Sequence, residues 1–195
     1  MAKTDSRDDS QLMKALQGGE QAAFDTLLNR HRRFVLNVIY KYVRNRDTAE
    51  DLAQEVFVRL YQKRDAFQPI ARFTTWLYTM TARICLNHVR DEKRQNPAIS
   101  MQALSTDSRP FEPADTTGVL PATKLSRDEV RNVVWQALED LPAQQRMALI
   151  LYRFENLSYQ DIAEVMSTTI AAVKSLIFRA RSALAIRLED YQLPE

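Results

Sequence analysis

The carboxylates Glu50, Asp51 and Glu55, with His31 or His88, are the residues of this sequence whose chemistry could be acid–base or metal-assisted hydrolysis. Their spacing serves neither. Glu50 and Asp51 are adjacent, so on a helix they point about 100° apart, a poor arrangement for a shared metal ion or a shared proton. One cysteine, Cys85, and two histidines are too few for a Cys/His zinc cluster, and a single cysteine closes no intramolecular disulfide. The three glycines, Gly18, Gly19 and Gly118, permit neither a Walker loop nor a G-x-G-x-x-G fingerprint. No catalytic group, cofactor or metal is expected.

Recognition of a polyanion is better supplied. Arg83, Asn87, Arg90, Lys93 and Arg94 crowd one end of a helical run. Val165–Leu188 contains Lys174, Arg179, Arg181 and Arg187 and no acid. The net charge of +2 hides this asymmetry: residues 1–95 carry 17 basic and 12 acidic side chains, residues 96–127 three of each, and residues 128–195 seven and ten. Two basic surfaces on a nearly neutral chain suggest a polyanion touched at two places; a solvated charged face is the plainer alternative for either one.

The elements that must position these residues are helices. Four of seven prolines, Pro97, Pro110, Pro113 and Pro121, fall in residues 96–127 with Gly118, and that stretch reads as a linker without apolar period. The flanking segments are dense in helix formers, which predicts an all-α chain of two small helical domains on a flexible tether. The boundaries are an N-terminal extension 1–19, a domain 20–95, the linker 96–127, a domain 128–190 and a tail 191–195. Phe24, Leu27, Leu28, Phe34, Val35, Val38, Ile39 and Tyr42 recur at helical spacing. A second helix over Thr48–Tyr61 buries Leu52, Val56, Phe57 and Leu60 and turns Asp51, Gln54, Glu55 and Arg59 outward. A third starts near Thr74 or Thr75 and runs to about Arg94, with Leu77, Met80, Ile84 and Val89 inward. In the second domain a helix over Ser126–Asp140 precedes Pro142, which suits the first turn of the next. Ser158 with Asp161 resembles a capping box. It opens a short helix through Met166, followed by a tight connection and a final helix capped by Thr169, with Val173, Ile177, Ala180, Leu184 and Leu188 on one stripe. Short helix, tight turn and longer basic helix have helix-turn-helix spacing, which suits a helix to the major groove.

The runs Thr48–Tyr61, Phe73–Arg94 and Leu141–Leu184, in this order and separation, resemble bacterial extracytoplasmic-function (group 4) sigma factors of the sigma-70 superfamily. The resemblance implies a two-domain promoter-specificity subunit that is not itself an enzyme. Its first, sigma region 2-like domain would hold core RNA polymerase through Asp51, Gln54, Glu55 and Arg59. The same domain would read the −10 element of promoter DNA with Trp76, Tyr78, Arg83, Asn87, Arg90, Lys93 and Arg94, next to a loop Phe67–Thr75 able to hold an extruded base. Trp76 and Tyr78, in an apolar run, suit core packing as well. The second, region 4-like domain would read the −35 element with Thr169, Ala171, Ala172, Lys174, Ser175, Arg179 and Arg181. An anti-sigma factor that occludes these surfaces is a further implied partner. Three positions depart from the family pattern: Arg83 stands where Asn is usual, Leu176 where Arg is usual, and Ser167 where a turn glycine is usual.

Two further expectations concern reach and location. Thirty-two linker residues behaving as a coil span roughly 30 Å, and extended roughly 105–115 Å, against roughly 85 Å between elements about 25 base pairs apart. The tether can reach only when stretched, so the free protein is expected to bind promoter DNA weakly. The longest stretch free of charged residues, Gln95–Thr106, is largely polar and only twelve residues long, where a span needs about 20 apolar ones. No membrane insertion and a cytoplasmic location are expected. A stand-alone helix-turn-helix regulator is the alternative function, and a protein-binding adaptor would leave both basic surfaces without a role.

Overall fold

The structure is a computed structural model and describes residues 5–70, 72–95 and 127–189. Linker residues 96–126 and tail residues 191–195 lie outside the described residues. Among those described there are eight α-helices and no strand: α1 (Asp9–Gln17), α2 (Gln21–Val43), α3 (Arg46–Gln62), α4 (Phe73–Gln95), α5 (Arg127–Glu139), α6 (Ala143–Arg153), α7 (Tyr159–Val165) and α8 (Ile170–Glu189).

Helix ends follow from local chemistry. Asp8 begins α1 with a capping box, its carboxylate accepting from Gln11 N (2.8 Å) while Gln11 Oε1 accepts from Asp8 N (3.0 Å). Asn45 caps α3 by accepting from Thr48 N at 2.9 Å. The connection between α1 and α2 turns at Gly19, whose φ of 93° lies in the region glycine enters without a Cβ penalty. Elsewhere the chain makes left-handed turns without glycine, at Arg44, Asn156 and Ser167.

Helices α1–α4 form one lobe. Leu27, Val35 and Ile39 of α2 meet Leu52, Val56 and Leu60 of α3 and Leu77 and Ile84 of α4, all buried. The structure adds a layer that the sequence pattern did not assign to this domain. Helix α1 buries Leu12, Met13 and Leu16 against the bundle. Its Asp9 carboxylate pairs with Arg30 (2.6 Å) and meets His31 Nε2 (3.0 Å). Gln17 Nε2 donates to the carbonyls of Arg64 (2.8 Å) and Phe67 (3.0 Å), so α1 also anchors the start of the loop leading into α4.

Helices α5–α8 form the second lobe around Leu138, Leu141, Met147, Ile150, Ile162, Val165, Val173, Ile177 and Ala180. The two lobes pack together: α6 lies against α2 and α4, and α7 lies against α4. Arg146 of α6 is buried at this junction, its guanidinium 4.5 Å from the Tyr42 ring centroid and its Nη1 donating to the Tyr42 carbonyl at 3.2 Å. That carbonyl lies in the last turn of α2, where the helix dipole favours a cation.

Candidate nucleic-acid interface

Of the elements expected to touch DNA, the helix-turn-helix is the more exposed. Ser158 Oγ accepts from Asp161 N (3.1 Å) and Asp161 Oδ2 accepts from Ser158 N (3.2 Å), which starts α7 with the expected box. Ser167 takes the turn at φ 53°, the left-handed geometry expected there. Thr169 Oγ1 accepts from Ala172 N at 3.2 Å and begins α8. Val173, Ile177 and Ala180 face the core, while Thr169, Ala171, Lys174, Ser175, Arg179 and Arg181 are exposed and Ala172 is half-buried. Leu176 is half-buried against the core, so an apolar residue there gains packing where an arginine would keep its charge in water.

Phe178, off the apolar stripe of α8, was not among the residues assigned to DNA from sequence. Its ring is 72% exposed and lines a cleft with Tyr159, Lys174 and Arg181. The Lys174 ammonium stands 5.9 Å from the Tyr159 ring centroid. The sequence signal for it is an aromatic off the stripe of Val173, Ile177 and Ala180, set between Lys174 and Arg179. Arg187, by contrast, pairs with Asp140 of the α5–α6 connection.

On α4 the candidate residues separate into two environments. Trp76 is half-buried in a ring cluster, with centroids 5.3 Å from Phe67 and 6.3 Å from Phe73. Tyr78 is buried, edge-on to Phe34 at 4.6 Å, with its hydroxyl donating to Glu155 Oε2 at 3.3 Å. Burial and the Glu155 charge push this phenol well above its ordinary pKa, so it stays a neutral donor. Arg83, Arg90 and Arg94 are exposed and Asn87 is half-buried; Lys93 lies on the helix, its side chain outside the described residues. Ile70, in the loop before α4, is 89% exposed.

The third surface lies on α2 and α3. A groove of about 760 Å³ is lined by Phe24, Leu28, Phe57, Val58 and Tyr61, with Gln54 and Glu50 at its edge. Asp51 and Gln54 are exposed, and Glu55 pairs with Arg59 at 2.7 Å along the helix. Of the groove's apolar residues, Phe24, Leu28 and Phe57 were expected from sequence on apolar helix faces, whereas the exposed Val58 and Tyr61 were not singled out. Among the described residues no group of acids, histidines and cysteines could hold a metal ion, and no helix is long and apolar enough to cross a membrane.

Comparison with known proteins identifies the family of the chain. The family model for Sigma-70 region 2 matches residues 27–95, and that for Sigma-70, region 4 matches residues 131–184. The chain is 35% identical over 176 residues to the RNA polymerase sigma-H factor of Pseudomonas aeruginosa, covering 90% of this chain and 91% of that protein. It is 32% identical over 178 residues to the ECF RNA polymerase sigma-E factor of Escherichia coli K12, covering 90% and 92%. Among solved structures, the sigma factor RpoE of Bartonella quintana, in complex with the anti-sigma factor NepR, aligns with a TM-score of 0.59 and 25% identity over 85% of this chain and 96% of that one. CnrH, in complex with the cytosolic domain of CnrY, shares the fold with a TM-score of 0.66 at 22% identity, over 94% and 99%. The chain belongs to the sigma-70 family of RNA polymerase sigma factors, in its extracytoplasmic-function group. It is a transcription initiation factor that works with core polymerase and is not itself an enzyme.

Proposed function

We propose that this sigma factor divides promoter recognition between α4 and α8 and meets core RNA polymerase on α3. Trp76, Tyr78, Arg83, Asn87, Arg90, Lys93 and Arg94 serve the −10 region, Trp76 packing on Phe67 of the loop before α4 and Tyr78 buried against Phe34. Thr169, Ala171, Ala172, Lys174, Ser175, Arg179 and Arg181 contact the −35 element, with Phe178 added to that surface. Asp51, Gln54, Glu55 and Arg59 meet the polymerase beside the apolar groove. The observation that carries the reading is α8: a capped recognition helix whose cations are exposed on a face without acids, in a chain that matches both sigma regions. Helix N-termini and exposed cations are suited to phosphates, and small residues such as Ala171 and Ser175 let a helix approach base edges. A role with polymerase supports a cytoplasmic location. An anti-sigma partner is supported by the Bartonella relative, whose structure is that of such a complex.

The test uses reconstituted holoenzyme on promoter fragments altered in one element at a time. Alanine at Lys174 and Arg179 is expected to lower affinity and to reduce the salt slope by about 1 for each phosphate no longer neutralised, with −10 preference unchanged. Asp51→Arg is expected to prevent co-elution with core polymerase while leaving helix content intact. Tight duplex binding without polymerase, at a symmetric site, would favour the stand-alone regulator instead.

A further inference from the structure

Gln17 is the last residue of α1, and the chain fixes its place tightly. Leu16 beside it is buried. The turn that follows is bonded at each step: Gly18 N donates to the Lys14 carbonyl, Gly19 N to that of Leu16 and Glu20 N to that of Ala15, each at 3.0 Å. From this position the half-buried Gln17 side chain reaches the end of α3. Its carboxamide nitrogen carries two N–H donors, and Nε2 donates to the Arg64 carbonyl at 2.8 Å and to the Phe67 carbonyl at 3.0 Å. The two carbonyls bracket a single 3-10 turn, Arg64–Ala66. Arg64 ties the turn back to α3, its Nη1 donating to the Tyr61 carbonyl at 2.9 Å and its guanidinium 4.6 Å from the Tyr61 ring centroid.

Phe67 closes this turn and opens the loop before α4. Its ring is buried, edge-on to Phe73 at 6.0 Å and 5.3 Å from Trp76, and Phe73 in turn lies 5.1 Å from the His31 ring. Between the buried Phe67 and Phe73, the residues Gln68, Pro69 and Ile70 are exposed. A loop holds its side chains only as precisely as the scaffold that ties its ends. Apolar packing secures the Phe67 ring but is non-directional, whereas a hydrogen bond to the Phe67 carbonyl has a preferred direction and so orients the backbone there. Gln17 supplies that bond.

We propose that Gln17 is a positioning residue for −10 recognition: its carboxamide sets the direction in which the chain leaves Phe67, and so where Gln68, Pro69 and Ile70 stand ahead of α4. It acts through the backbone of the loop and touches no DNA itself. Gln17 lies outside residues 27–95, the span matched to Sigma-70 region 2, so a determinant of promoter preference extends into the N-terminal helix. The consequence for promoters rests on the assignment of α4 and its preceding loop to the −10 element; the anchoring of that loop is a statement about the chain alone.

The experiment uses the full chain, alone and in reconstituted holoenzyme, and compares wild type with Gln17→Met, Gln17→Lys and Gln11→Ala. Gln17→Met removes both donors at nearly the same length, and Gln17→Lys restores donors on an ammonium. Gln11→Ala breaks half of the capping box at the far end of α1, which weakens the helix without touching the loop. Gln17→Met is expected to lower the preference for an intact over an altered −10 block by about tenfold, in line with the net contribution of two hydrogen bonds. Preference at −35 should not change. Gln17→Lys should recover most of the lost discrimination, and Gln11→Ala should discriminate as wild type does. In a Trp135→Phe background Trp76 is the sole tryptophan. There Gln17→Met should shift its emission to the red and raise its quenching by acrylamide, with helix content unchanged by circular dichroism.

Equal loss of −10 preference in Gln17→Met and Gln11→Ala would overturn the proposal, because weakening of α1 alone would account for it. So would wild-type discrimination by Gln17→Met where Arg83→Ala still loses it. Wild-type transcripts indifferent to the −10 block, with Trp76 emission shifted by Gln17→Met, would uphold the anchoring of the loop and overturn the −10 assignment.

Discussion

The two lobes solve the same problem, presenting side chains to DNA, in opposite ways. In the second, α8 gives its buried stripe of Val173, Ile177 and Ala180 to the core and keeps its candidate DNA-facing residues off that stripe, exposed but for the half-buried Ala172. In the first, α4 mixes the two duties: Tyr78 is buried, Trp76 sits in a ring cluster, and only the later turns carry exposed arginines. Substitutions on the exposed face of α8 are therefore expected to have little effect on folding, while those at the start of α4 are expected to disturb it.

The largest effect expected from this contrast is at Leu16. It is almost fully buried, so Leu16→Ala should destabilise the first lobe by about 2–5 kcal/mol, measured by urea unfolding followed by circular dichroism. An unchanged midpoint would remove α1 from the core and return residues 1–19 to the status of an extension. Next comes Trp76. Trp76→Ala should lower stability by about 2–3 kcal/mol, less than for a fully buried aromatic, whereas Trp76→Phe should keep most of it. If both variants melt like wild type yet lose −10 discrimination, the ring serves DNA alone and the contrast between α4 and α8 is smaller than drawn. The smallest effect is at Ser167. Ser167→Gly relieves a left-handed residue and should stabilise the second lobe by about 1 kcal/mol, read as an upward shift of its melting temperature.

Much of the architecture was legible in the residues. Proline and glycine divided the chain, apolar periodicity identified the buried faces of α2, α3 and α4, and the Ser158 box and the Ser167 turn followed from side-chain chemistry and from the cost of positive φ. Helix boundaries shifted by a few residues at most: α3 begins at Arg46 rather than Thr48, since Asn45 is the residue that caps it, and α4 begins at Phe73. Helix α1 escaped notice because it is nine residues long and its apolar residues, Leu12, Met13 and Leu16, stand among Asp8, Asp9 and Lys14. The junction between the lobes was hidden for a different reason. Nothing local to Lys41, Arg146 or Glu155 reveals that residues more than a hundred positions apart meet one another. Tyr78 was legible as either core or site; the fold buries its ring and ties its hydroxyl to the second lobe.

The central claim is that α8 and the later turns of α4 read two separated DNA elements on behalf of core polymerase. Run-off transcription tests it most directly, with purified core polymerase, with and without this protein, on a library of promoter fragments. The account predicts transcripts that depend on the protein and initiate only from fragments sharing two sequence blocks; Lys174→Ala with Arg179→Ala should relax the upstream block and Arg83→Ala the downstream one. Transcripts that depend on the protein but share no upstream block, or no transcript at all, would contradict it.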